Sequence, residues 1–237
     1  MTRKIVSVVI VSSLSFGWLD AAPGTALASS QDGSKATADE VTTAVLSDSA
    51  RRLPKVVDRF EVGDNVYVRA LKSDPERNSL WVGTSAGVHE VTLTDKQVRQ
   101  TFTRKEGLAN EYVFAVGIDQ RGNKWFGTNS GGVSRYKDGI WKTFVPMHGL
   151  ADYWVYAFGS QRDGTFWIGT WAGANKVDPV TGEFTTYVRE LVNEWVYGIA
   201  VDSTDRVWFG TEGGITRFDG EEWVSWTHSD GLGAPNK

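Results

Sequence analysis

Four copies of one short pattern, W-[VFI]-G-T-x-[AGS]-G, occupy residues 79–91, 123–136, 165–177 and 206–218. Their tryptophans, Trp81, Trp125, Trp167 and Trp208, stand 44, 42 and 41 residues apart. A period in this range marks a unit that cannot bury its apolar surface alone and must stack on copies of itself. No other feature of the chain restricts its fold as strongly.

The second unit shows what is repeated. Residues 112–118 are apolar throughout, as in a strand buried on both faces. Residues 119–123 (D-Q-R-G-N) carry turn chemistry, with Gly122 free to take positive φ. Short strands at 125–128, 133–136 and 140–145 follow, separated by Ser130-Gly131-Gly132 and Lys137-Asp138-Gly139. Four strands joined by tight turns make an antiparallel meander. Arranged radially, such sheets bury their faces against one another. The expected fold is therefore all-β, a β-propeller of four-stranded antiparallel blades with about four blades present.

Alignment of the first strands adds detail. One column is Tyr67, Tyr112, Trp154 and Trp195; the next odd columns are Arg69, Phe114, Tyr156, Tyr197 and Leu71, Val116, Phe158, Ile199. Between them lie Val68, Val113, Val155, Val196 and Ala70, Ala115, Ala157, Gly198. Period-2 alternation predicts a large face and a small face, the large face of one blade filling the small face of its neighbour.

The remaining sequence narrows the classes. A formal charge of −4 gives no nucleic-acid signature. Cysteine is absent, so disulfides and thiol chemistry are excluded. His89, His148 and His228 fall in different units without common spacing, and no metal or cofactor is expected. Residues 1–28 read as a secretion signal: a basic start, an apolar run, and Ala26-Leu27-Ala28 before the cleavage point. The chain is then periplasmic or secreted, with membrane contact only through that segment. Residues 29–53 read as a polar linker with a short helix near 38–50. Repeats fill 54–237, with blades at about 66–103, 111–145, 153–189 and 194–228 and the start of a fifth at 229–237. Residues 55–60 read as an outer strand that would complete the last blade of a closed ring. Two readings of ring closure follow: a partial or open ring needing further blades or a partner, and a complete small ring with a loose tail.

The extended pattern W-[VFI]-G-T-x-x-G-[VIA]-x-[RK]-[YF], with D-x-x-G before it and G-L-x-x-[ED] after it, resembles the two-component regulator propeller repeat over roughly residues 60–237. The unit at 74–91 departs from it, with Glu90 where the others carry Arg135, Lys176 and Arg217. The resemblance implies a periplasmic sensor module of the kind joined to a hybrid histidine kinase, or an exported protein standing alone. It also implies rings of seven blades, which at this repeat length need roughly 300 residues.

Propellers bind ligands on loops at the channel mouth. The loops entering the first strands carry Asn65-Val66, Asn110-Glu111, Asp152-Tyr153 and Asn193-Glu194, followed by the rings of Tyr67, Tyr112, Trp154 and Trp195. Flat rings beside amides and carboxylates suit a small polar ligand such as a carbohydrate. The same residues also suit inter-blade packing and turn formation. Arg69, which replaces an aromatic, is expected to face the channel or to pair with a carboxylate. Trp171, where other units have Ser85, Asn129 and Glu212, is expected on an exposed turn. The W-x-G-T tryptophans are expected in the core. Two other functions compete: a carbohydrate-active enzyme using Glu111 and Glu194 as its acids, and a protein-interaction scaffold.

Overall fold

The computed structural model describes residues 5–11, 56–64 and 66–233. Four four-stranded antiparallel sheets follow one another along the chain. The first blade is β3 (Val68–Asp74), β4 (Ser79–Thr84), β5 (Gly87–Thr92) and β6 (Val98–Phe102). The second is β7 (Val113–Ile118), β8 (Lys124–Thr128), β9 (Val133–Lys137) and β10 (Ile140–Phe144). The third is β11 (Val155–Ser160), β12 (Phe166–Thr170), β13 (Gly173–Val177) and β14 (Phe184–Tyr187). The fourth is β15 (Val196–Val201), β16 (Val207–Thr211), β17 (Gly214–Phe218) and β18 (Trp223–Trp226).

Two further strands, β1 (Ile5–Val11) and β2 (Val56–Asp64), pair with each other in a two-stranded sheet. The segment expected to complete the last blade thus lies in a different sheet, and β18 is the outer strand of the fourth blade. The cleavage point after Ala28 and the linker helix fall outside the described residues.

Each signature residue has a mechanical task. The threonine of W-x-G-T locks the turn that follows: Thr84, Thr128, Thr170 and Thr211 donate their hydroxyls to the carbonyls of Gly87, Gly132, Gly173 and Gly214 at 2.7–2.9 Å. The tryptophan indole is satisfied by the residue that opens the preceding loop. Trp125 and Trp208 donate to Asp119 and Asp202 at 2.8 Å, Trp167 to Gln161 at 2.7 Å and Trp81 to Asp74 at 3.3 Å. A buried indole N–H without an acceptor would be costly, so the D-x-x-G motif serves the core as well as the turn. The loop leucines Leu108, Leu150 and Leu191 are buried as plugs between blades.

Each second strand packs against the inner strand of the next blade, β4 on β7, β8 on β11 and β12 on β15. The fit is a valine in the space above a glycine. A Cβ on Gly83, Gly127 or Gly169 would stand 2.7–2.9 Å from Val113, Val155 or Val196. Backbone bonds add a staple: the amides of Gly87, Gly132 and Gly173 donate to the carbonyls of Glu111, Tyr153 and Glu194, each at 2.8 Å.

The large-face, small-face expectation fails here. Every inner strand carries a β-bulge at its second to fourth columns, between Val68 and Ala70, Val113 and Ala115, Val155 and Ala157, and Val196 and Gly198. A bulge breaks the period-2 alternation. Val113 and Val116 therefore both face Gly83, while Phe114 between them stacks on Tyr156 of the next blade.

The arc is open among the described residues. No comparable packing joins the fourth blade to the first. Gly210, the fourth signature glycine, has only the Gly198 carbonyl near its Cβ position, at 3.8 Å. Trp81, Trp125 and Trp167 are at most 2% exposed, whereas Trp208 is half-buried. The core expectation thus holds for three of the four tryptophans.

Candidate functional site at the channel mouth

In a meander, the connection into the first strand and the turn between the second and third strands lie at the same end. At this end the structure gathers most of the residues singled out by sequence. The side-chain Oδ1 atoms of Asn110, Asp152 and Asn193 accept the amides of Tyr112, Trp154 and Trp195 at 2.9, 2.7 and 2.8 Å. These are Asx turns, so half of each polar head is committed to the scaffold. The second Asp152 oxygen and the amide nitrogens of Asn110 and Asn193 make no such bond. In blade one Ser85 Oγ accepts the Tyr67 amide at 2.9 Å, and Asn65, at the corresponding position, lies outside the described residues.

Glu111 and Glu194 do not meet. Glu111 is half-buried, and its carboxylate lies 3.4 Å from the Arg104 amide. Glu194 is exposed, two blades away. What both contribute at this position is the backbone carbonyl of the inter-blade staple.

The aromatic residues form a continuous surface. Trp171 stands on the turn after β12, 37% exposed, with its amide donating to the Trp154 carbonyl at 3.0 Å. Its ring stacks on Trp195 of the next blade at 4.5 Å and tilts against Trp154 at 5.9 Å. Tyr112 packs edge-on to Phe114. Below this layer the third column crosses the blades: Arg69 lies 4.9 Å over Phe114 and 5.7 Å over Tyr112, Phe114 stacks on Tyr156 at 4.9 Å, and Tyr156 meets Tyr197 at 5.4 Å. Arg69 therefore faces the rings of the channel and forms no ion pair among the described residues. Desolvation raises the phenol pKa of Tyr156, and desolvation with the neighbouring Glu212 raises that of Tyr197, so both stay neutral hydrogen-bonding groups.

Asp152, Trp154 and Trp171 line a cleft of about 280 Å³, largely apolar in its walls. Both indoles keep more than a third of their surface free. The arrangement offers flat apolar area, one spare carboxylate oxygen and room for a molecule of monosaccharide size. Asp152 is the one titratable group lining the cleft, and no group of three His, Asp or Glu suited to a metal occurs among the described residues.

Phe114, Tyr156 and Tyr197 were not singled out from sequence, because alternation assigned them to blade packing. The bulge that exposes them leaves no unambiguous mark in the residues. Among the described residues no helix is long and apolar enough to cross a membrane.

Residues 190–213 match the profile of the two component regulator propeller. No curated protein matches the chain in sequence. Among solved structures it is similar to the extracellular domain described for the hybrid two component system BT3049 of B. thetaiotaomicron. Identity is 22% and the TM-score 0.69, over 76% of this chain and 26% of that one. The corresponding domain of BT4673 gives 14% identity and a TM-score of 0.57, over 68% and 23%. Virginiamycin B lyase from Staphylococcus aureus gives 17% and 0.53, over 68% and 55%. At these identities the likeness is one of fold. The chain spans about a quarter of the length of the two extracellular domains and about half that of the lyase.

Proposed function

We propose that this chain, a β-propeller segment carrying the two-component regulator propeller repeat, is an exported, non-catalytic sensing or binding module. Its ligand is a small carbohydrate seated at the channel mouth. The observation that carries this reading is the cleft at Asp152, where two half-free indoles on adjacent elements flank a spare carboxylate oxygen. A sugar presents an apolar face to an indole and needs acceptors for its hydroxyls. The neighbouring Asn193 and Tyr197 extend the same polar edge. A histidine kinase or further propeller blades are the protein partners this reading implies.

The competing enzyme reading needs Glu111 and Glu194 to act together on one bond. Their separation by two blades, and the use of both backbones as staples, favour the binding reading. The test is a titration of a panel of neutral mono- and oligosaccharides, followed by tryptophan fluorescence and calorimetry. Trp171→Ala and Trp154→Ala are each expected to weaken binding about tenfold, the loss of one aromatic contact of ~1.4 kcal/mol. Glu111→Gln and Glu194→Gln are expected to leave affinity unchanged. Saccharide turnover that disappears in either glutamine variant would overturn the non-catalytic reading.

A further inference from the structure

A second cleft lies at the other end of the blades, between the second and the third. It is formed by the β7–β8 loop at Asp119 and Asn123, the β11–β12 loop at Asp163, and the β13–β14 turn from Asp178 to Gly182, and it encloses about 300 Å³. Loops joining first to second and third to fourth strands lie opposite the channel mouth, so this is a separate site. The matching groove between blades one and two is only about 40 Å³. There Lys124 reaches across to Asp74 at 2.8 Å, and Tyr136 packs against Trp81. The third blade has Phe166 in place of Lys124 and Val177 in place of Tyr136. Phe166 cannot form the bridge that Lys124 makes across the first groove, and the small Val177 leaves the space that Tyr136 fills there, so the cleft is open.

Its wall holds a cation that no carboxylate neutralises among the described residues. Arg135 lines the cleft, stacked over Trp125 at 5.6 Å and Phe144 at 5.4 Å, and has no hydrogen bond or ion pair among the described residues. Directly across the β9–β10 ladder stands Lys142, also over Phe144, at 4.8 Å, and also without a carboxylate. Like charges facing each other on a sheet are destabilising. In the other blades the equivalent position is neutralised or uncrowded: Glu90 takes Arg77 at 2.9 Å and Arg99 at 2.8 Å, and Arg217 takes Asp219 at 3.2 Å.

The cleft's carboxylates are held by their own turns. Asp119 accepts from the amides of Arg121 and Asn123, the Asn123 side chain and the Trp125 indole. Asp163 accepts from the Thr165 amide and hydroxyl, and Asp178 from the amides of Val180 and Thr181. Asp119 accepts two bonds on each oxygen, while Asp163 and Asp178 keep lone pairs to spare. A simple anion would meet their field. A ligand carrying both a carboxylate and hydroxyl groups satisfies both halves.

We propose that this cleft binds a sugar acid, its carboxylate forked onto Arg135 beside Lys142 and its hydroxyls donated to Asp163 and Asp178. Guanidinium and carboxylate match in planar, bidentate geometry, and the stacked Arg135 is already oriented. The site is independent of the channel-mouth reading.

The test is calorimetry and NMR titration with D-glucuronate, D-glucose and acetate. Glucuronate is expected to bind at least tenfold more tightly than either of the others. Arg135→Gln should reduce glucuronate binding tenfold or more, and Lys142→Gln several-fold. Val177→Tyr, which reproduces the filled groove of the preceding blades, should abolish it even if Arg135→Gln folds poorly. Trp171→Ala should have no effect on it. Equal binding of glucuronate and glucose, or glucuronate binding that survives Val177→Tyr, would overturn the proposal.

Discussion

Replacing Gly127 and Gly210 in turn by alanine measures how much the blade interfaces contribute. Both occupy the G of W-x-G-T, and neither needs a left-handed backbone. At Gly127 the new Cβ would lie 2.7 Å from both the carbonyl oxygen and a methyl of Val155, and 3.0 Å from the Val155 Cβ. Part of that obstacle is backbone, so no rotamer change relieves it and the third blade must move. Overpacking of this kind costs ~1–3 kcal/mol. Alanine also restricts the unfolded chain, returning ~0.4–1 kcal/mol. The net expectation for Gly127→Ala is a loss of ~1–2 kcal/mol.

At Gly210 the nearest atom is the Gly198 carbonyl at 3.8 Å, an ordinary contact. Only the unfolded-state effect remains, and Gly210→Ala should be neutral or stabilising by up to ~1 kcal/mol. Urea titration of the two variants should move the midpoints in opposite directions. Thermal scans should separate them by several degrees, at ~2–4 °C per kcal/mol for a domain of this size. If Gly210→Ala destabilises as much as Gly127→Ala, the glycine serves its own strand and the valine-on-glycine account of blade packing is wrong.

Other outcomes follow from single side chains. Asn175 is fully buried and makes three bonds, accepting the Ala151 amide at 2.7 Å and donating to the Gly149 carbonyl and Thr186 hydroxyl at 2.9 and 2.8 Å. Asn175→Ala strands these groups and should cost ~1–3 kcal/mol in denaturant titration. Several carboxyls have depressed pKa values: Asp202 through the Trp208 indole above all, Asp219 through the Glu222 amide, and Asp178 through the Thr181 amide. Since these folded values lie below the unfolded one near ~3.9, their stabilisation is complete above about pH 4. It is lost as pH falls toward the folded values. Asp202→Asn keeps an acceptor for Trp208 but removes the carboxylate paired with Arg206, so it should lower stability at pH 7 and flatten the acid limb of the stability profile.

The architecture was legible because the repeat states it four times. Strand order, turn positions and three buried tryptophans follow from W-x-G-T and D-x-x-G alone. Ring geometry at the mouth was less legible. The Asn and Asp of 110, 152 and 193 could be turn formers or ligand groups, and in the structure each is a turn former with a remaining polar atom. Facing of the inner-strand aromatics was misread because one bulge per blade shifts the alternation, and the residues flanking it are the ordinary Val and Ala of a strand. The threonine, serine and asparagine that tie each entering loop to the third strand were also passed over. Thr216, Ser134 and Asn175 differ in type, and share only the task of accepting a loop amide.

That division of labour bears on where specificity can reside. Positions alike in every unit are already spent: threonine on its turn, glycine on the neighbouring valine, and the third-strand polar residue on its loop. A ligand can exploit only what the scaffold leaves unused. Those groups sit where one unit departs from the others: the indole of Trp171, the guanidinium of Arg69 over the channel rings, and Arg135 opposite Lys142 beside a groove that Val177 fails to fill. All of these except Arg69 lie on the second and third blades or their shared boundary. Exchanging Phe166 and Val177 for the lysine and tyrosine of the preceding unit should therefore erase a site while leaving the turn and loop hydrogen bonds in place. Loss of stability rather than of binding in that double variant would show that the departures are structural.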